Sequence, residues 1–181
     1  MRVLIPLADG VEELEAVTLI DVLRRSGVQV TSAALKDDLT VRGSRGVCVL
    51  ADEAWSSLDL SSFDALVLPG GGKGTEALAA DARVVDAVRS FAESDKLVAA
   101  ICAAPTVLAK AGVLKHCRAT CYPTCAEALG ASYDDAPVIA DGNIITSQGP
   151  GTALLFSLVL IKHLVGEQAA QQVADGLLTS F

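Results

Sequence analysis

No stretch of this sequence stays apolar for anything near the roughly 20 residues that a bilayer-spanning helix requires. The longest late run, residues 153–161, is far too short. Residues 3–7 are apolar but stop at Asp9-Gly10, before the core of a signal peptide could form, so no export is expected and the reading is cytoplasmic. Basic residues are few and unclustered: 14 Lys and Arg against 22 Asp and Glu give a net charge of −8. An acidic chain of this kind is not drawn to nucleic acid or to an anionic membrane surface, so neither is expected as a partner. There are only two histidines, His116 and His163, and neither lies in a recognisable motif. The five cysteines are odd in number and fit no secreted disulfide framework, which suits a reducing cytosol with free thiols.

The chain has 51% hydrophobic and 20% charged residues over 181 positions, enough for one domain, 1–181, around a sizeable core. No linker, internal repeat or low-complexity segment interrupts it. Residues 2–7 form a short apolar run that reads as a buried strand. Residues 12–26 then place Leu14, Val17, Ile20, Val22 and Leu23 near helical spacing, with acids in the first turn, Arg24 and Arg25 in the last, and Gly27 as the stop. A further strand over 28–34 completes a strand-helix-strand unit and implies a parallel sheet.

Short extended runs at 39–42 and 47–50 flank Gly43-Ser44-Arg45-Gly46 and read as a hairpin, added to the sheet or projecting from it. Strands at 64–68 and 97–101 enclose a helix at 82–93. A second hairpin at 138–140 and 144–146 precedes two closing helices, 152–165 and 168–178. The fold class is therefore α/β, a doubly wound, mostly parallel, flavodoxin-like sandwich whose ligand site lies beyond the carboxyl ends of the strands.

That rule singles out three strand ends. In Ala100-Ile101-Cys102-Ala103-Ala104-Pro105 a strand runs through a nucleophile into a helix opened by proline, with small neighbours that a sharp, strained turn demands. This is the layout of a nucleophile elbow, and a thiol facing the helix start is expected to favour the thiolate. Gly70-Gly71-Gly72 follows another strand, and its backbone N–H groups suit an anion or oxyanion; the P-loop and dinucleotide patterns are both missing. Glu12, Glu13 and Glu15 crowd the start of the first helix, where most acids serve only the helix dipole.

The segments A-D-G-V-E-E-L-E-A-V, L-P-G-G-G-K-G, A-A-I-C-A-A-P and T-S-Q-G-P-G-T-A occur in the order and spacing of the DJ-1/ThiJ/PfpI superfamily. The chain resembles that superfamily over nearly its whole length, and the last segment with L-V-G-E is most similar to the bacterial YajL branch, close to animal DJ-1. The resemblance implies Cys102 as nucleophile and Glu15 as its acidic partner. It further implies Gly70, Gly71 and Ala103 as backbone donors beside the thiol, and Gly149-Pro150 as part of the pocket. It also implies a homodimer across which Arg45 approaches the site.

A carboxylate beside a thiolate repels it, so the pair is expected to hold one proton between two acids. Two departures from the family matter. Ala103 stands where the protease-like branch has histidine, which disfavours a Cys-His hydrolase, and Tyr122 stands where animal relatives have histidine.

The remaining cysteines carry less. His116, Cys117, Cys121 and Cys125 lack the paired-cysteine array of a structural zinc site, and Tyr122-Pro123 breaks any helix there, so no metal is expected. Cys48 reads as a small core or interface hydrophobe. Cys121 reads as the end of a strand. No other cysteine lies in a strand-end motif, so oxidation of Cys102 is expected to end at the sulfinate rather than in a disulfide.

The resemblance implies a cofactor-independent protein acting on a small reactive aldehyde or on glycated groups, turning methylglyoxal or glyoxal into a hydroxy acid. The alternative is an oxidative-stress sensor or redox-regulated chaperone.

Overall fold

The computed structural model describes residues 1–181. The opening unit is β1 (Arg2–Leu7), α1 (Glu13–Arg25) and β2 (Gln29–Ala34), with β1 and β2 parallel from Arg2 opposite Gln29 to Leu7 opposite Ala34. β3 (Thr40–Arg42) and β4 (Cys48–Leu50) form an antiparallel ribbon of their own, so the hairpin projects rather than joining the main sheet. β5 (Glu53–Ala54) adds a short edge to β2. β6 (Ala65–Leu68), α2 (Gly72–Ala80), α3 (Ala82–Glu93) and β7 (Leu97–Ile101) follow. α4 (Pro105–Ala111), the one-turn α5 (Ala126–Leu129), the antiparallel pair β8 (Val138–Asp141) and β9 (Ile144–Ser147), α6 (Ala153–Leu164) and α7 (Glu167–Gly176) complete the chain.

The seven-stranded sheet runs β5-β2-β1-β6-β7-β9-β8 and is parallel except at β8, as the sequence pattern predicts. Strand side chains alternate between its faces. Val3, Ile5 and Leu7 of β1, Val67 of β6 and Ile101 of β7 pack with Leu19 of α1 and Phe156 of α6 in one core. Leu4, Leu66, Leu68 and Val98 face the other, with Val88 of α3 and Leu108 of α4. Each such fully buried side chain contributes roughly 1.5–3 kcal/mol, which is why the strands read as continuous apolar runs.

Two local expectations fail. In α1 the buried face carries Glu15, Ala16, Leu19, Val22 and Leu23, whereas Leu14 and Val17 are 53% and 47% exposed. Spacing alone could not separate these two stripes, because the inward one begins with a glutamate. Cys121 ends no strand: the only pairing nearby is an isolated bridge between Ala119 and Tyr133.

What matters for function is adjacency. β1, β6, β7 and β9 are consecutive in the sheet, so the segments after Leu7, Leu68, Ile101 and Ser147 emerge side by side at one edge. The strand order departs in both directions from β1, towards β2 and towards β6, which creates the switch-point crevice where such folds bind ligands.

Candidate active site

Cys102 leaves β7 in the left-handed region, φ 64°, as a strained elbow requires of a residue that is not glycine. Its backbone is clamped on both sides: the Cys102 N–H donates to Ser147 O at 2.9 Å, and Cys102 O accepts the Tyr122 N–H at 2.7 Å. Helix α4 begins only at Pro105, three residues on.

The glycines after β6 fit between this elbow and the loop after β1. A Cβ on Gly70 would lie 2.6 Å from Cys102 Cβ and 2.8 Å from Glu15 Oε2, so only glycine lets the Cys102 and Glu15 side chains approach there. Gly71 has φ 94°, and a Cβ on it would lie 2.4 Å from both Glu12 N and Gly10 O. Its neighbour's carbonyl, Gly70 O, accepts the Glu12 N–H at 2.9 Å, which fixes the start of α1 against this turn.

The three acids of α1 have three separate tasks. Glu13 secures the hairpin loop, accepting the Arg45 N–H at 2.7 Å and the Ser44 hydroxyl at 3.1 Å. Burial pushes its carboxyl up, but the N–H groups of its own residue, Arg45 and Val47 outweigh that and hold it below the usual range. Glu12 lines the cavity over Cys102 and accepts the Ser44 hydroxyl at 3.0 Å. Glu15 is fully buried beside the thiol.

Glu15 Oε2 accepts the Gly70 N–H at 2.8 Å. That N–H therefore serves the carboxyl, and the donors directed at the sulfur are those of Gly71 and Ala103. Glu15 Oε1 is buried with no partner in the chain. Burial pushes the Glu15 carboxyl up to about 7 against the Gly70 N–H and the Cys102 thiol, with some help from Glu12. Burial, then the Glu15 carboxylate, pushes the Cys102 thiol up to about 12, against the Gly71 and Ala103 N–H groups.

The Gly71 and Ala103 N–H groups favour the thiolate as the elbow position predicts, and the carboxylate opposes it as expected, but burial and the carboxylate together outweigh the backbone donors. The two groups share a single negative charge. When Glu15 is the protonated member, the carboxylate's repulsion is gone.

The cavity over the pair has a volume of about 340 Å³. Its floor is Gly71, Gly72, Cys102 and Ala103; its walls are Glu12, Ser44, Arg45, Tyr122, Thr124, Cys125 and Pro150. Gly149 lies against Tyr122, and a Cβ there would sit 3.3 Å from the ring, close enough that the ring would have to shift slightly. Arg45, expected from across a dimer contact, lines the cavity of its own chain. A larger cavity of about 470 Å³ beyond Ser44 is lined by Asp9, Lys36, Arg42, Lys73 and the exposed Cys48, whose core reading therefore fails.

Sequence reasoning left Tyr122 without a role and missed Glu12, Thr124 and Cys125 as cavity residues. Only the proximity of Tyr122-Pro123 to a family position signalled them. Cys121 is fully buried in the core on the α4 side, while His116 is exposed, so that spacing does not converge on one point.

Comparison with known proteins gives a consistent result. The family model for the DJ-1/PfpI family matches residues 1–163. Protein dj-1beta of Drosophila melanogaster is 44% identical over 181 residues, spanning 98% of this chain and 97% of that one. The glutathione-independent glyoxalase DJR-1.2 of Caenorhabditis elegans is 34% identical over 178 residues, spanning 97% and 94%. The structure of oxidized Toxoplasma gondii DJ-1 superposes with a TM-score of 0.96 at 37% identity, covering 99% of each chain.

Proposed function

The chain belongs to the DJ-1/PfpI family, and from that premise we propose that it is a cofactor-independent thiol enzyme converting small 2-oxoaldehydes, such as methylglyoxal or glyoxal, to hydroxy acids. The observation that carries this reading is the fully buried Glu15 carboxyl next to Cys102, its pKa raised to about 7 and so able to take up and return a proton near neutral pH. The glyoxalase named among the relatives supports the same chemistry.

In the proposed cycle the Cys102 sulfur bonds to the aldehyde carbon, and the carbonyl oxygen takes up a proton. The Gly71 and Ala103 N–H groups, which face the sulfur, stabilise the thiolate that attacks. Glu15, as carboxylate, removes the proton from that carbon and, as acid, returns it to the adjacent one. The result is a thioester of the hydroxy acid, and water cleaves it to release the product and the thiol. The chain's own redox state is unchanged, and the substrate is both oxidised and reduced. Action on glycated groups uses the same first bond.

Lactate formation from methylglyoxal, with chelator present and glutathione absent, tests the proposal. Turnover should stop when one equivalent of iodoacetamide has reacted, and mass mapping should place the label on Cys102. Absent turnover with selective oxidation of Cys102 instead supports a redox sensor, a reading that draws on the same half-buried thiol and donors.

The proposal includes a homodimer. Leu14 and Val17 on α1 and Val47 and Leu50 on the hairpin are exposed, the last by 73%, and Glu13 joins the two elements through Arg45 and Val47. An apolar surface shared by adjacent elements in this way is characteristic of an interface. Light scattering at micromolar concentration should give twice the chain mass, and Leu14→Glu combined with Leu50→Glu should return it to one. A wild-type monomer overturns this part.

A further inference from the structure

We propose that Cys125 is a resolving thiol for Cys102, so that hydroperoxide oxidation closes a reversible Cys102–Cys125 disulfide across the mouth of the site. Of the four other cysteines, Cys125 alone lines the Cys102 cavity. It is tied to the elbow by two backbone hydrogen bonds in series: Tyr122 N–H to Cys102 O at 2.7 Å, and Cys125 N–H to Tyr122 O at 2.8 Å.

Cys125 ends a single 3-10 turn, Pro123–Cys125, and is half-buried, so its sulfur is accessible from the cavity. Cys121, the nearer cysteine in sequence to Tyr122, is fully buried in the core on the α4 side of the sheet, whereas Cys102 packs against the core on the α1 side. Cys48 lines the other cavity; Cys117 and Cys125 both pack against the α4-side core, and of the two only Cys125 also reaches the Cys102 cavity. The proposal departs from the sequence expectation that oxidation ends at the sulfinate, because Cys125 reaches the cavity without lying in a strand-end motif.

The chemistry is balanced. The Cys102 thiolate attacks the terminal oxygen of a hydroperoxide; an S–O bond forms, the O–O bond breaks, and the leaving oxygen takes the Glu15 proton and departs as water or an alcohol. Cys102 is then a sulfenic acid and Glu15 a carboxylate. The Cys125 sulfur attacks the Cys102 sulfur, and its proton passes by way of the Glu15 carboxylate to the sulfenic oxygen, which leaves as water and leaves Glu15 ionised. Two thiols have lost two electrons to one hydroperoxide, and an external thiol reductant returns them. The disulfide withdraws Cys102 before a second oxidant can carry it to the sulfinate.

This inference rests on Cys102 being the reactive thiol, but not on carbonyl turnover. About two to three equivalents of hydrogen peroxide followed by N-ethylmaleimide, intact mass and a non-reducing peptide map test it. The wild type should lose two hydrogens and yield a Cys102–Cys125 crosslinked peptide, which persists in Cys121→Ala. In Cys125→Ser the crosslink should vanish and the Cys102 peptide should gain two oxygens.

A wild type that gains two oxygens at Cys102 with no crosslink overturns the proposal. So does a crosslink to Cys121, or a Cys121–Cys125 disulfide that leaves Cys102 reduced. Methylglyoxal turnover by the reduced wild type separates the two readings. Turnover without a crosslink overturns the resolving thiol alone, and a crosslink without turnover overturns the enzyme alone.

Discussion

Glu15→Gln should lower methylglyoxal turnover by about 10²–10⁴-fold, the range that a positioned acid-base group supplies, while making the protein more stable at alkaline pH. The amide fits the site, because its oxygen can accept the Gly70 N–H as Oε2 does. What it cannot do is accept the substrate's C–H proton. Cys102→Ser should be at least as slow, and the double variant no slower than the slower single one, because the two groups act as one unit.

The stability effect has the opposite sign and a definite pH window. The folded carboxyl titrates at about 7 against 4.5 for a free one. Its protonation therefore stabilises the fold fully below pH 4.5, and that contribution is lost as pH rises through 7. The displacement corresponds to about 3 kcal/mol lost by pH 8, which Gln, having no proton to give up, does not lose. Thermal melts should show Glu15→Gln roughly 6–12 °C above wild type at pH 8, with the gap closing towards pH 4.5. Unchanged turnover removes the proton-transfer role; a gap that does not depend on pH removes the raised carboxyl.

That trade of stability for chemistry explains why part of the site was legible in the sequence and part was not. The elbow was legible because its constraints are local: Cys102 must adopt φ 64°, Ala103 and Ala104 must be small, and Pro105 must open a helix. The convergence of three strand ends was legible because parallel order and a switch point follow from strand-helix alternation. Glu15 was not separable from Glu12 and Glu13 by any local rule. Its difference from them is burial against Gly70, a contact between positions 55 residues apart, and only the family resemblance anticipated it. The same limit explains Leu14 and Val17, whose apolar character matches an unpartnered face of α1 rather than the core. It also explains Cys125, which reaches the cavity through the Tyr122 clamp and no motif of its own.

Gly70→Ala should abolish measurable turnover while leaving the chain folded. Gly70 has no left-handed φ, so alanine there carries no backbone penalty. The whole cost is steric and confined to the site, since the new methyl would lie 2.6 Å from Cys102 Cβ, 2.8 Å from Glu15 Oε2 and 2.9 Å from Ile101 O. Real carbon contacts sit near 3.5–4.0 Å, so these atoms must part by about 1 Å, and a displacement of that size at reacting groups costs on the order of 10²-fold in rate. The carboxyl can retreat only by giving up the Gly70 N–H at 2.8 Å, which leaves a second buried oxygen without a donor. Both the nucleophile and its proton carrier are therefore displaced by one methyl, and the loss should reach or exceed that of Glu15→Gln. Overpacking of this kind destabilises by about 1–3 kcal/mol, a lowered Tm rather than unfolding. Gly151→Ala is the control: it lies two residues beyond the Gly149 that backs Tyr122, meets nothing within 4 Å, and lines no part of the Cys102 cavity. Parallel assays of turnover, circular dichroism and Cys102 alkylation rate decide the matter. If Gly70→Ala turns over methylglyoxal within about threefold of wild type, the contact between Cys102 and Glu15 through this glycine is not what drives the reaction.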